Sequence, residues 1–418
     1  MMLAERVKYY VKSAIAPACI AVMILSAVSC SHDDYEPSAE AVRTILVYMA
    51  ADNNLSTYVH DNLDGMRQAM DGDISSGYNL VAFVDRVGAH SALVNITDGR
   101  IDTLKVWSQN LQSSSPDVLS MVINTVIESF PAESYGLIFW GHGSGWIPYQ
   151  VHSRVDPQRL RSAGKTQTIE MLQIQPDTLV PFVDTRASCV DTGNGKYEWM
   201  NTSQIAEAIP DSLFDFILFD QCFMSGVEIA YDLRTKANWM IGSAVEILAY
   251  GYPYASVMQS LFYGDYRSAC RIFYDYYDAR SGDERTAAVA LINLSEIANV
   301  ANTFRKVVDN ATIDVDNLEF WYSLQRCDRY INHVMFDFLD VAERLEPGAA
   351  VIDEFRAALA KCVSYSLNTQ WVVNSLELKK CCGMNCYVPI RRYDQDINPF
   401  YISSSWNQVT GFLKSRDD

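Results

Sequence analysis

The amino-acid sequence predicts an α/β protein whose central sheet is mostly parallel and is flanked by helices. Short apolar runs alternate with helical patterns along the chain, and within each run most residues are apolar. A sheet with one face in water would alternate apolar and polar residues, so these runs indicate strands that are buried on both faces. The runs are residues 44–50, 79–85, 135–140, 214–219, 239–243 and 287–294.

The segments between these runs contain the helix and turn signals that such a fold needs. An amphipathic helix is predicted between the first two strands, where apolar residues recur at helical spacing, namely Leu55, Val59, Leu63, Met66 and Met70. Ser115 and Pro116 are typical of a helix start and precede the third strand. Asp98-Gly99 separates two alternating runs within residues 92–106, which predicts a β-hairpin at the margin of the sheet.

Two regions depart from this alternation. Residues 148–196 have a mixed polar composition and predict a long loop before a helix near residues 202–209. Beyond residue 295 the patterns are mostly helical and end in a predicted strand over residues 384–390. We therefore expect a core over residues 43–300 and a largely helical C-terminal extension over residues 301–418.

Composition and charge restrict the class of function. The chain has 418 residues, of which 49% are hydrophobic and 20% charged, so it can bury a full core and is not intrinsically disordered. Its 33 Lys and Arg residues against 51 Asp and Glu residues give a formal net charge of −18. A nucleic-acid partner would require a basic binding face, so none is expected. Basic proteins or peptides match this charge better, and a monomer is expected.

The N-terminus has the pattern of a secretory signal. Arg6, Lys8 and Lys12 precede an uncharged apolar run over residues 13–28. This run is shorter than the roughly 20 residues that a membrane-spanning helix needs, which favours a signal peptide over an anchor. Residues 1–29 are therefore predicted to direct export, with the mature protein in the periplasm or attached at the outer membrane or cell surface.

Cys30 is the candidate site of lipid attachment. The signal ends with Ala27-Val28-Ser29-Cys30, which resembles the cleavage box of bacterial lipoproteins, although Ala27 stands where Leu is usual. An acylated cysteine would hold the protein to a membrane through its lipid, without a spanning helix. The alternative is an ordinary cleaved signal followed by an incidental cysteine. The acidic stretch over residues 30–42 is predicted to be a tether.

A histidine and a cysteine follow two of the predicted buried strands. His142 lies in a glycine-rich turn after the third strand, and Cys222 follows the fourth. The carboxyl ends of parallel strands meet at one edge of a sheet, so the two side chains should lie together there. A neighbouring imidazole and the N-terminus of the helix predicted after Cys222 would both raise the thiolate fraction of the thiol. The residues therefore predict a Cys–His nucleophilic pair.

Gly143 is the candidate for an oxyanion hole at the same edge. A glycine has no side chain, so its N–H, together with that of Cys222, can approach a substrate carbonyl closely. The alternative interpretation is that His142 is an ordinary turn residue and Cys222 a buried, inert thiol, because free cysteines are among the most buried residues.

Four segments of the chain carry a more specific pattern. They are Tyr48-Met49-Ala50-Ala51-Asp52-Asn53-Asn54-Leu55, Trp140-Gly141-His142-Gly143, Asp220-Gln221-Cys222-Phe223-Met224 and Gly242-Ser243-Ala244-Val245-Glu246. In order and spacing they resemble the clostripain family of cysteine peptidases, which belongs to the clan of caspases, gingipains, legumain and separase. The resemblance covers residues 43–300 well and the C-terminal third loosely. It implies a caspase-like, three-layer α/β fold.

The resemblance also implies a role for each matching residue. Cys222 matches the nucleophile of the family, His142 its general base and acid, and Gly143 its oxyanion glycine. Asp220 matches an acidic residue of the pocket for the side chain that precedes the scissile bond. A carboxylate there would bind Arg or Lys. The alternative role of Asp220 is to cap the following helix.

Ser243 and Glu246 are further candidates for the substrate pocket. The segment departs from the family pattern, because family members more often have an additional acidic residue or Gln, and a Pro, within it. The resemblance thus implies a cysteine endopeptidase that cleaves after Arg or Lys. Two alternatives remain, namely a surface-binding lipoprotein with the same fold and no catalysis, and a peptidase of the same clan with another specificity.

Relatives in this family are often activated by cleavage between the His and Cys segments, which implies self-processing in residues 148–196. That loop contains six basic residues, namely Arg154, Arg159, Arg161, Lys165, Arg186 and Lys196. The same loop contains Asp191-Thr192-Gly193-Asn194-Gly195, which resembles part of a calcium loop, and clostripain itself is similar to calcium-dependent enzymes. The segment lacks the bidentate Glu of an EF-hand, so we favour an ordinary turn and expect no metal or other cofactor.

Overall fold

A nine-stranded β-sheet is the centre of the computed structural model, which describes residues 41–70, 74, 76–148, 200–329 and 333–414. The strands along the described chain are β1 (Ala41–Ala51), β2 (Tyr78–Arg86), β3 (Ala92–Thr97), β4 (Arg100–Val106), β5 (Ala132–Trp140), β6 (Phe214–Asp220), β7 (Ala237–Gly242), β8 (Ala288–Asn293), β9 (Met335–Asp337), β10 (Val363–Asn368), β11 (Trp371–Val372), β12 (Leu376–Glu377) and β13 (Asn385–Tyr387). The order in the large sheet is β10-β8-β7-β6-β5-β1-β2-β3-β4. The predicted signal peptide, Cys30 and the processing loop lie outside the described residues.

Five adjacent strands of this sheet are parallel, in the order β7-β6-β5-β1-β2. They correspond to the first five apolar runs, and the middle residues of each strand are buried. β3 and β4 continue the sheet as an antiparallel hairpin. Asp98 and Gly99 form the hairpin turn with φ values of 38° and 70°, which is the backbone that the Asp-Gly pair predicts.

The other margin of the sheet differs from the expectation. β8, the sixth apolar run, is antiparallel to β7, because a continuous apolar run reports burial on both faces and not strand direction. β10, from beyond residue 300, pairs with β8 and forms the edge of the sheet. The C-terminal region also contributes two short antiparallel ladders, β11–β12 and β9–β13. It is therefore less uniformly helical than its sequence pattern suggests.

Helices cover the sheet. In the described part of the chain they are α1 (Val59–Ala69), α2 (Pro116–Ser129), α3 (Thr202–Ala208), α4 (Val227–Asp232), α5 (Tyr254–Phe262), α6 (Tyr266–Asp278), α7 (Ile297–Asp309), α8 (Leu318–Ser323), α9 (Phe338–Arg344), α10 (Ala349–Cys362), α11 (Asn398–Tyr401) and α12 (Ser405–Thr410). One layer contains α1, α5 and α6, and the other contains α2, α3, α4, α7, α10 and α12. Within the described ranges, no helix combines the length and apolarity needed to cross a bilayer.

Arg43, near the start of β1, joins five elements at the end of the sheet opposite to the predicted site. Its guanidinium forms an ion pair with Asp215 of β6 at 2.6 Å. It also donates hydrogen bonds to Ser134 of β5 at 2.9 Å, to Tyr266 of α6 at 2.9 Å and to the carbonyl of Leu261 in α5 at 2.7 Å. This buried side chain therefore fixes three adjacent strands against one helical layer.

Arg43→Ala is expected to lower the free energy of unfolding by about 2 kcal/mol, because it leaves the partly buried Asp215 carboxylate without its cation. The control is Arg271→Ala, which removes an exposed pair with Asp275 and should cost less than about 0.5 kcal/mol. Urea unfolding followed by circular dichroism measures both variants. Equal, small losses would show that Arg43 does not hold the strands together.

Candidate active site

The pairing of β5 with β6 brings His142 and Cys222 to the same edge of the sheet. The two strands are parallel neighbours, and Trp140 pairs with Asp220 in their register. His142 and Cys222 each lie two residues beyond this pair. The turn that carries the histidine therefore lies beside the turn that carries the cysteine, as the strand pattern predicts.

Gly143 packs directly against the backbone of Cys222. A Cβ atom at position 143 would lie 2.9 Å from Cβ of Gln221 and 3.0 Å from the backbone nitrogen of Cys222, and closer still to the carbonyl oxygen of Cys222. Any larger residue would push the two turns apart, because these separations are below normal van der Waals contact. The structure thus gives this glycine a packing role that the sequence argument, which considered only substrate approach, did not include.

The sulfur of Cys222 is held by the loop that follows β7. The backbone N–H of Ile247 points to Sγ at 3.1 Å, and Sγ lies 3.5 Å from the carbonyl oxygen of the same residue. Cys222 is fully buried, and His142 is 4% exposed. The N–H of Ile247 would stabilise a thiolate, whereas burial and the contact with the carbonyl oxygen favour the thiol.

The helix after Cys222 begins later than the sequence argument assumes. α4 starts at Val227 and has six residues, with Gly226 at its N-cap. Four residues separate Cys222 from the first residue of this helix, and the effect of a helix dipole falls off within one turn. The sequence predicts that a helix N-terminus lies next to the thiol. In the structure, the backbone N–H of Ile247 contacts the sulfur instead.

Phe223, next to Cys222, has a left-handed backbone with φ of 64°. This conformation is unusual for a bulky residue and costs roughly 1–2 kcal/mol, so the surroundings must hold it. Its N–H donates to the carbonyl of Val245 at 3.0 Å, and its carbonyl accepts from the side chain of Asn385 at 3.1 Å. The turn that presents the cysteine is thus strained and is braced on both sides.

His142 contacts Asn54 from the turn after β1. Nε2 of the ring lies 2.7 Å from Oδ1 of Asn54. An amide oxygen only accepts hydrogen bonds, so this contact favours the tautomer with the proton on Nε2 and the lone pair on Nδ1. Asn54 belongs to the first of the four segments that resemble the clostripain family, but the segment alone does not predict this contact. Its position after a strand that pairs with β5 is the signal that could have identified it.

Asp220 ends β6 and is completely buried. Its Oδ2 accepts a hydrogen bond from the hydroxyl of Tyr254 at 2.9 Å and another from the N–H of Tyr252 at 3.3 Å. These contacts lead to the segment at the start of α5 and not to α4, the helix that the alternative role would have it cap. The carboxylate thus lies two residues before the cysteine, beside tyrosines from the neighbouring segment.

Ser243 and Glu246 lie in the loop after β7, but their contacts are different. The hydroxyl of Ser243 accepts from the N–H of Val245 at 3.2 Å and shapes the turn. Glu246 is buried and forms a bidentate ion pair with Arg329 through the Nε and Nη2 atoms of the guanidinium. The charge of Glu246 is therefore balanced within the chain. Arg329 was not singled out in the sequence, because its partner is 83 residues away in the chain.

In the residues that the structure covers, no group of three or more His, Cys, Asp or Glu side chains is arranged to hold a metal ion. The segment Asp191–Gly195, which resembles part of a calcium loop, lies outside the described ranges.

A thiol and an imidazole carried by adjacent strand ends, with a glycine packed between their turns, form the kind of site that cysteine peptidases use. The chain belongs to the clostripain family, whose sequence profile matches residues 47–158 and 176–382. This confirms the family and the enzyme class, a cysteine peptidase, that the four segments imply.

Individual relatives agree with this assignment. Clostripain from Hathewaya histolytica is 22% identical over an alignment of 253 residues that covers 52% of this chain and 42% of that protein, so the chain spans less than half the length of this relative. Two solved structures each cover 89% of this chain and are themselves covered to 99%. They are an inactive zymogen C11 protease from Parabacteroides distasonis (27% identity, TM-score 0.71) and a secreted C11 cysteine protease from Bacteroides thetaiotaomicron (22%, 0.73). The caspase-like, mostly parallel fold is thereby confirmed.

Glu228, in the first turn of α4, is a buried carboxyl group close to the cysteine turn. Its Oε1 accepts from the N–H of Tyr387 at 2.9 Å, and its Oε2 has no hydrogen-bond partner within the described ranges. Burial, with a smaller contribution from the nearby charge of Asp232, raises the pKa of Glu228 to about 8 against the opposing effect of the Tyr387 N–H. The folded protein therefore favours the protonated form of this side chain.

Glu228→Gln tests this protonation. A pKa raised on folding contributes stability that is present below about 4.5, the ordinary value, and is lost as the pH rises towards 8. Gln imitates the protonated acid, so the variant should gain stability over the wild type between pH 5 and 8, by a few kcal/mol at about 1.4 kcal/mol per pKa unit. Urea unfolding at several pH values measures the difference. The exposed control Glu207→Gln should show no such trend, and parallel pH profiles for wild type and Glu228→Gln would refute the buried acid.

Proposed function

We propose that this chain is a cysteine endopeptidase that cleaves peptide bonds after basic residues, with Cys222 as nucleophile and His142 as general base and acid. The observation that carries the proposal is the packing of Gly143 on the backbone of Cys222. This contact allows the two turns to meet at the edge of the sheet where parallel strands end. It supports one site that contains a thiol, an imidazole and two adjacent backbone segments.

The proposed reaction uses these groups in sequence. Nδ1 of His142 takes the proton of the thiol, and the thiolate attacks the scissile carbonyl carbon while the carbonyl oxygen becomes an oxyanion. The N–H groups of Gly143 and Cys222 stabilise that charge. His142 then gives its proton to the leaving amine, and water hydrolyses the thioester to release the second product and the thiol. The Asn54 contact favours the tautomer that this order of steps requires, with the proton on Nε2 and the lone pair on Nδ1.

Asp220 is the proposed recognition group for Arg or Lys in the substrate. It is a buried carboxylate two residues from the nucleophile, and a buried carboxylate can hold a guanidinium through charge-assisted hydrogen bonds. Glu246 is a weaker candidate, because Arg329 already balances its charge. Ser243 would act by shaping the loop that supplies Ile247. The net charge of −18 favours basic substrates in general, but only a local carboxylate can select one side chain.

Activation and location complete the proposal. Self-cleavage after a basic residue of the loop at positions 148–196 would convert a precursor into the active enzyme, and the relative from Parabacteroides distasonis is described as an inactive zymogen. Export through residues 1–29 and lipid attachment at Cys30 would place the mature chain on a membrane surface. The relative from Bacteroides thetaiotaomicron is described as secreted.

Fluorogenic peptides that end in Arg, Lys, Asp or Asn before the reporter test the mechanism and the specificity. We expect the wild type to prefer Arg and Lys by at least about 100-fold, since a neutral or acidic side chain cannot form the charge-assisted hydrogen bonds that a guanidinium or an ammonium group donates to a carboxylate. Cys222→Ala should be inactive, and Asp220→Asn should lose activity mainly on the basic peptides. Equal hydrolysis by the wild type and Cys222→Ala would remove the mechanism and favour a non-catalytic binding protein. A preference for Asp or Asn would remove the role of Asp220.

Self-processing is tested on the purified chain, with the Cys222→Ala variant as control. The wild type should convert to two fragments whose junction, read by mass spectrometry, follows one of the six basic residues of the loop. Cys222→Ala should remain a single chain, and a trace of active wild type shows whether cleavage can occur between molecules. The same fragment pattern in both proteins would mean that another protease makes the cut.

A further inference from the structure

We propose that Asn385, in β13, is a positioning residue that holds the Cys222 turn in its reactive shape. The inference rests on the proposed role of Cys222 as nucleophile. Asn385 lies 163 positions after Cys222 in the sequence and outside the four segments that resemble the clostripain family. It is nevertheless buried directly beneath the turn, at 3% exposure.

The side-chain amide of Asn385 connects the two loops that surround Cys222. Its Nδ2 donates to the carbonyl of Phe223 at 3.1 Å and to the carbonyl of Ala244 at 2.9 Å. Phe223 follows the cysteine, and Ala244 belongs to the loop that continues to Ile247, whose N–H contacts the sulfur. One amide group therefore sets the spacing between the nucleophile and the donor that stabilises its thiolate.

Backbone contacts join the same segment to the same turn. The N–H of Asn385 donates to the carbonyl of Ser225 at 3.2 Å, and the hydroxyl of Ser225 donates to the carbonyl of Gly383 at 2.8 Å. Gly226 and Asn385 also form an isolated parallel bridge. Residues 383–385 therefore contact the turn at Ser225 and Gly226 through the backbone and the Ser225 hydroxyl. Only the side-chain amide of Asn385 extends this contact to Phe223.

The chemistry of the position fits asparagine. Two backbone carbonyls approach one nitrogen, so the side chain must supply two N–H donors from a short stem, and among the amide side chains asparagine has the shorter one. Aspartate has the same shape, but its carboxylate would face two acceptors with no proton to donate. Since Phe223 has a left-handed backbone that needs support, loss of this amide should let the turn relax and move Sγ away from Ile247.

The matched control is Asn407 in α12. Like Asn385 it is buried, at 4% exposure, and its Nδ2 donates to two backbone carbonyls, those of Ile402 at 3.3 Å and Leu413 at 3.0 Å. Neither carbonyl belongs to a loop around Cys222. Both substitutions remove an amide that donates to two backbone carbonyls, and Asn407→Ala also removes the hydrogen bond that Oδ1 accepts from the N–H of Leu413 at 2.7 Å. Both should lower the melting temperature by several degrees.

The experiment measures kcat and KM on an Arg peptide per titrated active site, together with the rate of Cys222 alkylation by iodoacetamide as a function of pH. For Asn385→Ala we expect kcat to fall about 10- to 100-fold with KM within about threefold, because a shift of about 1 Å at a reacting group has effects of this size. The midpoint of the alkylation profile should move to higher pH. Asn407→Ala should keep both quantities within about twofold of the wild type.

Each outcome decides the inference. If Asn385→Ala loses stability but keeps kcat and the alkylation profile at the level of Asn407→Ala, Asn385 is structural only and the inference is wrong. Should Asn385→Ala fail to fold, Asn385→Asp keeps the shape of the side chain and removes both amide N–H donors, and it should lower kcat severalfold. Wild-type kinetics for this variant would then overturn the inference. The proposed function fails separately, if Cys222→Ala retains full activity.

Discussion

The candidate site depends on the parallel pairing of β5 with β6 and on the absence of a side chain at position 143. The pairing brings the His142 turn and the Cys222 turn side by side, and the glycine lets their backbones touch. The loop after β7 then packs on the cysteine turn and provides the N–H that contacts the sulfur. Residues 383–385, from the last quarter of the chain, form hydrogen bonds with Phe223 and Ser225 of the same turn. Both of these segments contact the cysteine turn itself, so that turn is the element shared by every part of the site.

Much of this arrangement could be predicted because the signals are local. A strand buried on both faces is continuously apolar, so the parallel strands were recognisable one at a time. A buried strand that ends in a histidine or a cysteine is likewise visible within about ten residues. Asp98-Gly99 predicted its hairpin because the turn needs residues that tolerate positive φ values. In each case the sequence window that forms the feature also contains the physical reason for it.

The remaining features could not be predicted because they join residues that are distant in the chain and chemically ordinary. Asn385 reaches Phe223 across 162 positions, and Arg329 reaches Glu246 across 83. A single asparagine or arginine in a C-terminal segment carries no periodicity and no motif. The direction of β8 and the addition of β10 were hidden for a related reason, because apolar character reports burial and not strand polarity. The role of Ile247 depends only on its backbone N–H, which every residue except proline has.

The position of β10 and β13 near the end of the chain has a consequence for the order of events during synthesis. All four motif segments have left the ribosome once about 300 residues are made. At that point residues 383–385, which contact the cysteine turn, have not yet been translated. A nascent chain therefore contains both reactive side chains before it contains the segment that braces them. The contacts of residues 383–385 with this turn can form only after that segment has left the ribosome, so synthesis of the motif segments alone does not supply them.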